Sequence, residues 1–262
     1  MVNWTNVDMA AKKWLKEAGR NIIGSFKTAL KIDTKADAND LVTNIDKEIE
    51  QFFISHIQET FPSHKILGEE GFGDEVKNMD GVIWIIDPID GTMNFVHQQR
   101  NFFISIGIFE NGVGKLGYLY DVVHNELYYA KSGEGAYWDD MKLPLLESAQ
   151  LSEAVIGFSA TWLTSDNPKN SLLSLVKDVR GTRSYGSAAL EFAYVATGRL
   201  DAYISMQLSP WDFAGGKIII EEVGGIVTNV NGEPLNLLEK SPVLVSKPGL
   251  HETLVNEYFR VN

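Results

Sequence analysis

VIWIIDPIDGTMNF, residues 82–95, is the stretch on which the reading of this chain turns. Its first six residues form a short, nearly continuous apolar run, the pattern of a strand covered on both faces. Asp87 closes that strand, Pro88 has no N–H with which to continue a ladder, and Asp90-Gly91-Thr92 reads as a turn whose threonine opens a helix. Two carboxylates three residues apart around a rigid turn can converge on one point, with the Ile89 carbonyl aimed at the same place. Converging hard oxygen donors suit Mg²⁺. The Thr92 hydroxyl and the helix N-terminus behind it suit a phosphate oxygen. Asp-Pro and Asp-Gly are also ordinary turn formers, so these dipeptides alone do not separate a site from a turn.

Upstream, Val7, Ala10, Ala11, Trp14, Ala18, Ile22 and Phe26 recur at steps of three and four, which predicts an amphipathic helix over about 5–28. Ile45, Ile49, Phe52, Phe53 and Ile57 predict a second helix that stops near Pro62. Downstream, FFISIGIFE and VGKLGYLYDVV flank Asn111-Gly112, the signature of a tight hairpin, and LYYA follows a polar break at His124-Asn125-Glu126. The first half is therefore a helix pair followed by a largely antiparallel sheet.

The second half alternates. Strands are expected at 154–159, 201–204, 226–230 and 243–246, and helices near 170–179, 187–197, 210–223 and 249–259. This βαβ-like order predicts a second, more parallel sheet. No repeat, low-complexity tract or long linker interrupts the chain, so residues 1–145 and 146–262 are expected to pack as one compact unit with a seam near 142–150.

Composition excludes whole classes. The 262 residues carry a formal net charge of −12 and no cysteine, so there is no disulfide framework, thiolate metal site or thiol nucleophile. Any metal must be held by oxygen or imidazole. An acidic chain without a Lys/Arg block is not built to grip nucleic acid or anionic lipid. The start, MVNWTNVDMAAKKW, lacks the order of a signal peptide, and apolar stretches such as the eight residues from Phe102 to Phe109 are too short to span a bilayer. A soluble, cytoplasmic protein is expected.

Three further segments carry acids: Asp40-Leu-Val-Thr-Asn-Ile-Asp46, Gly68-Glu69-Glu70-Gly71 and Trp211-Asp212-Phe-Ala-Gly-Gly216. Each has an ordinary explanation by itself. Glu69 and Glu70 sit after Ile66-Leu67, at a strand end, where a glutamate pair is usually a solvated loop. Ser209-Pro210-Trp211-Asp212 reads as a capping box variant, compatible with ligation only if the carboxylate turns away from the helix amides. Lys35, Thr43 and Asp46 fit a charged loop before a helix. Their combination points elsewhere, because Glu69, Asp87, Asp90 and Asp212 in one pocket would repel one another unless their pKa values shift or cations bind. Several oxygen-bound cations in one site imply two-metal chemistry on a phosphate ester.

The motifs resemble those of the inositol monophosphatase family of metal-dependent, lithium-sensitive phosphatases over nearly the whole chain. DLVTNID matches the family's D-L-V-T-x-x-D, GEEG its glutamate loop, WIIDPIDGTMNFVH its D-P-[IL]-D-G-T-x-N-F signature and ELYYAKSGEGAYW its hairpin region. RSYGSAALEFAYVATGRLDAY with WDFAGGKIIIEEVGG matches the C-terminal signature. The resemblance implies an α/β fold layered as an α/β/α/β/α sandwich of the sugar phosphatase type, with an antiparallel N-terminal sheet and a mixed C-terminal one, and a homodimer.

It also implies roles. Glu69, Asp87 and the Ile89 carbonyl would hold a first Mg²⁺, and Asp87, Asp90 and Asp212 a second, with a third ion leaning on Glu69 through water. Thr92 and Asp46 would orient and deprotonate the attacking water, and the Gly91 and Thr92 amides would bind phosphate. Lys35 falls where the family often places a lysine near the active-site loop. Gly186, Ser187 and Ala188 match a G-[ST]-A segment on the substrate side. An acidic residue that contacts inositol hydroxyls in inositol-preferring enzymes is here Ser205, shorter and uncharged. The implied activity is hydrolysis of inositol monophosphate and other small phosphorylated metabolites, with the NADP 2′-phosphate, fructose bisphosphate and 3′-phosphoadenosine phosphate as alternative substrates.

Two rivals are distinguishable. A haloacid-dehalogenase type of phosphatase uses D-x-D-G-T, but Asp87-Pro-Ile-Asp90-Gly-Thr92 has one residue too many between its acids. A metal-binding regulatory or interaction protein could keep the same fold without turnover, although every ligand position is present.

Overall fold

A computed structural model describes residues 2–27, 30–34, 41–164 and 169–260. The first half runs α1 (Trp4–Ser25), β1 (Ile32–Thr34), β2 (Leu41–Thr43), α2 (Asn44–Thr60), β3 (Lys65–Gly68), β4 (Val82–Asp90), α3 (Thr92–Gln98), β5 (Phe103–Glu110), β6 (Val113–Asp121), β7 (Glu126–Lys131), β8 (Gly135–Trp138) and β9 (Met141–Lys142). The second half runs β10 (Val155–Gly157), α4 (Lys169–Asp178), β11 (Gly181–Arg183), α5 (Ala188–Ala196), β12 (Ala202–Leu208), α6 (Pro210–Glu222), β13 (Ile226–Thr228), β14 (Ser241–Ser246) and α7 (Leu250–Leu254), which continues as a π-turn over Val255–Phe259. Among the described residues no helix is long and apolar enough to cross a membrane.

β3 to β9 form a seven-stranded sheet in sequence order, parallel only between β3 and β4. Asn111 and Gly112 both adopt positive φ, 52° and 78°, as a tight hairpin of right-twisting strands requires. The second sheet has the order β11-β10-β12-β14-β13. It is parallel across β11-β10-β12 but antiparallel on both sides of β14, so the expectation of a more parallel sheet holds for half of it. β13 and β14 are joined without a crossover helix, and such a connection leaves antiparallel pairing as the available choice.

Side-chain alternation along the strands stacks these sheets into five layers. Trp84 and Ile86 of β4 face Trp14 of α1 and Phe53 of α2 on one side. Ile83 and Ile85 face the other way, into a core shared with Phe192 of α5, Phe213 of α6 and Val243 and Val245 of β14. Leu244 turns outward onto Leu172 and Leu175 of α4 and Leu250 of α7. Burial on both faces is why VIWII reads as an unbroken apolar run. The helix α6 lies close on the seven-stranded sheet: a Cβ on Gly107 would stand 2.7 Å from the Ala214 carbonyl carbon, and one on Gly117 2.5 Å from the Gly215 oxygen. The small residues after Trp211-Asp212 thus bring the start of α6 against the sheet that carries Asp87.

One local expectation is corrected. Pro88 does not end β4, which runs on to Asp90. The ladder to β5 loses its register between Asp87, opposite Ser105, and Asp90, opposite Phe103, so the irregularity absorbs the missing N–H and the strand resumes.

Candidate active site

The site is assembled at the ends of elements from both halves. At the start of α2, Thr43 is the N-cap and Asp46 the third helical residue. The Thr43 N–H donates to Asp46 Oδ2 at 2.9 Å, and the Thr43 hydroxyl donates to the same oxygen. The other carboxylate oxygen, Oδ1, stands 3.3 Å from the Thr92 hydroxyl, which also reaches the Ile89 carbonyl at 3.1 Å. Burial pushes Asp46 up to about 6, against the lowering effect of the Thr43 bonds, and Glu69 and Glu70 add to the rise. Gly91, at φ 91°, is the cap of α3 and Thr92 its first residue, so the glycine and not the threonine turns the chain into the helix.

Asp87, Asp90 and Asp212 each offer a carboxylate oxygen within 4.8 Å of the other two. Each is also anchored. Asp87 Oδ1 accepts the Ile89 N–H at 2.9 Å. Asp90 receives the start of α5: the Ser187 hydroxyl and the Ala189 N–H, the latter at 2.9 Å, donate to Oδ2, and the Ala188 N–H to Oδ1 at 3.2 Å. Asp212 Oδ2 accepts the Ser209 N–H at 2.7 Å. The expectation that Asp212 must turn away from its helix to join the acids is therefore corrected: it caps α6 with one oxygen and still belongs to the group. Burial pushes Asp87 well up, and the charges of Glu69, Asp90 and Asp212 push it further; Glu69 also hydrogen-bonds with Asp87. Asp212 is raised well above the carboxylate range by burial, then by Asp90 and Glu69. Burial takes Asp90 to about 6, with the Ser187 hydroxyl and the α5 amides holding it back.

Gly186, Ser187 and Ala188 line a cavity of about 240 Å³ together with Asp90, Asp212, Glu191 and Tyr203. Within that wall the polar groups of Ser187 and Ala188 are spent on Asp90. Ser205 is buried at the irregularity between β12 and β14, its hydroxyl 3.3 Å from the Gln207 carbonyl oxygen, and it is not among the residues that line the cavity. Lys35 and Asp40 lie outside the described residues.

Sequence reasoning missed the cavity residues Ser159, Ser184 and Leu208, and also Glu191 and Tyr203. Glu191 is 2% exposed, accepts the Tyr185 N–H at 3.0 Å and is pushed up to about 7 by burial. Its signal was present: it is the one acid in the otherwise apolar run AALEFAYVA. Tyr203 is buried beside Glu191, Asp90 and Asp212, and its signal, a tyrosine in a strand, is too common to mark a site.

Oxygen donors gathered this tightly and this deep suit hard divalent cations, which offset the burial and the mutual repulsion that raise their pKa values. Such a donor set, placed beside a carboxylate–hydroxyl pair, defines a metal-dependent hydrolase of phosphate esters. The inositol monophosphatase family matches residues 3–260, and the chain belongs to that family of metal-dependent phosphomonoester hydrolases. It is 59% identical to the inositol-1-monophosphatase of Bacillus subtilis (strain 168), with 98% of each chain covered. The solved structure of inositol monophosphate bound SaIMPase-II is 42% identical, covers 97% of this chain and 93% of its own, and has a TM-score of 0.89. An IMPase/NADP phosphatase complexed with Mg²⁺ and phosphate is 31% identical, with 98% and 97% covered and a TM-score of 0.90.

Proposed function

We propose that this chain hydrolyses inositol monophosphate and other small phosphate monoesters, using two to three Mg²⁺ ions and an activated water. The observation that carries this reading is the joining of two groups in one place: the Asp87, Asp90 and Asp212 carboxylates within 4.8 Å, and the Asp46–Thr92 pair beside the Ile89 carbonyl.

Residues 1–145 supply Glu69, Asp87, the Ile89 carbonyl and Asp90 as ligands, and residues 146–262 supply Asp212 and the substrate wall. When bound, Mg²⁺ neutralises the transferring phosphoryl group and lowers the pKa of water. Asp46 accepts the proton of the attacking water; raised to about 6, it is ionised at neutral pH yet close enough to that pH to take a proton. Thr92 orients the water through its hydroxyl, and Glu69 acts with this pair. The Gly91 and Thr92 amides hold phosphate. Lys35, Gly186, Ser187, Ala188 and Ser205 contact or shape the space for the rest of the substrate. The enzyme works as a cytoplasmic homodimer and is inhibited by Li⁺.

A second reading concerns substrate range. An uncharged residue at position 205 and the cavity of about 240 Å³ beside Asp90 favour a broad range that includes the NADP 2′-phosphate, and the activity named for one structural neighbour supports it. Phosphate release with Mg²⁺ from inositol monophosphate, NADP, fructose bisphosphate and 3′-phosphoadenosine phosphate ranks these substrates. Release from none of them would leave a metal-binding protein without turnover.

A further inference from the structure

We infer that Glu50 is a positioning residue for the metal site: from inside α2 its carboxylate clamps the backbone of the loop that carries Glu69. This rests on the assignment of Glu69 as a ligand.

Glu50 lies one helical turn after Asp46, so the two side chains share a face of α2. That face is otherwise apolar, with Ile45, Ile49, Phe53 and Ile57 buried, and Glu50 itself is 0% exposed. A carboxylate so placed is tolerated only where hydrogen bonds replace water. Both of its oxygens are used on the same short loop: Oε2 accepts the Glu70 N–H at 2.6 Å, and Oε1 accepts the Phe72 N–H at 2.9 Å. The last backbone rung before the loop is Glu69 N–H to the Ile86 carbonyl at 3.2 Å. The clamp thus takes over where the ladder beside β4 stops. Gly68 makes room for it, since a Cβ there would stand 2.4 Å from the Glu50 carboxyl carbon.

The consequence is mechanical. With the amides of residues 70 and 72 pinned, the direction in which Glu69 leaves the backbone is fixed relative to Asp87. One helix therefore sets both Asp46 against Thr92, at its first turn, and Glu69 against Asp87, a turn later. Residues that orient ligands in this way influence metal affinity without touching the ion.

A second clamp of the same design provides the control. Glu222, at the end of α6, accepts the Gly133 N–H at 2.7 Å and the Gly135 N–H at 2.8 Å, and so holds the turn between β7 and β8. Neither glycine belongs to the site.

The test is titration calorimetry of Mg²⁺ into metal-free protein, with thermal melting alongside. Glu50→Gln leaves one acceptor oxygen and turns an amide N–H₂ toward the second donor. It is expected to weaken Mg²⁺ binding about tenfold and to raise the Mg²⁺ concentration for half-maximal activity equally, with kcat at saturating Mg²⁺ close to wild type. Glu222→Gln is expected to lower the melting temperature and leave the Mg²⁺ isotherm unchanged. If Glu50→Gln does not fold, Glu50→Asp, which keeps both oxygens but is one methylene short, carries the same test. A Glu50 variant that melts lower but binds Mg²⁺ as wild type does would overturn the inference. If Glu69→Gln also binds Mg²⁺ as wild type does, the ligand assignment fails instead.

Discussion

The metal side of the site and the cavity wall facing it are built on opposite plans. On the metal side four carboxylates each have a backbone partner: Asp46 has Thr43, Asp87 has Ile89, Asp90 has Ala188 and Ala189, and Asp212 has Ser209. The wall contributes Glu191, Tyr203 and the start of α5, and its Ser187 and Ala188 spend their polar groups inward on Asp90. Ser205 turns to its own strand. The difference matches the proposed function, a tightly specified chemistry with a broad substrate range. Fixed carboxylates preorganise charge for a phosphoryl group, whereas a wall with few committed donors rejects little.

Breaking the metal side is expected to have the largest effect. Asp90→Asn should lower kcat by about 10⁴, as for a group acting within a unit, while far-UV circular dichroism stays unchanged; a loss smaller than about tenfold would show that Asp90 is only a helix cap. Asp46→Asn and Thr92→Ala should each cost about 10²–10⁴ in kcat, the range for a lost proton-transfer partner, and the double variant should cost little more than either single one. Additive losses would mean that the two residues do not act together.

A change behind the wall, at buried Ser205, should re-rank substrates. Ser205→Glu is expected to raise kcat/KM for inositol monophosphate over that for NADP by about tenfold, and an unchanged ratio would place selectivity elsewhere.

The smallest effect is on stability. Asp46 and Asp90 stand at about 6, above the ordinary carboxylate range. For an acid raised by folding, the contribution to stability is fully present below the unfolded value and is lost as pH rises through the folded one. Metal-free protein should therefore melt a few degrees higher at pH 5 than at pH 7.5, and the rise in melting temperature on adding Mg²⁺ should be greater at pH 7.5. Equal Mg²⁺ shifts at the two pH values would contradict a site whose acids are raised by burial in the folded protein.

What sequence made legible divides along the same line. A doubly covered strand, an Asn-Gly hairpin and alternating helices and strands are local patterns, and VIWII, Asn111-Gly112 and the second-half order appear where their periodicity puts them, except that the three-residue strand β11 was not read from the sequence. The acids on motif turns were visible because Asp87, Asp90 and Asp46 sit at element ends. Dual use was not, since the helix cap and the cluster member at Asp212 are two oxygens of one side chain, and only the fold decides where each points. Pro88 read as a stop because ladder loss is local, whereas its rescue at Asp90 depends on β5. The direction of β14, the two-residue β9 and the burial of Glu191 depend on partners far away in the chain.

The most direct test of the central claim, that buried carboxylates work here as a cation-filled phosphatase site, is phosphate release from inositol monophosphate while Mg²⁺ is titrated into chelator-stripped protein. No release is expected without the metal, a rise with added Mg²⁺ in wild type and no comparable rise in Asp90→Asn. Full turnover in the absence of metal, or a phosphoryl group trapped covalently on Asp87, would contradict the claim.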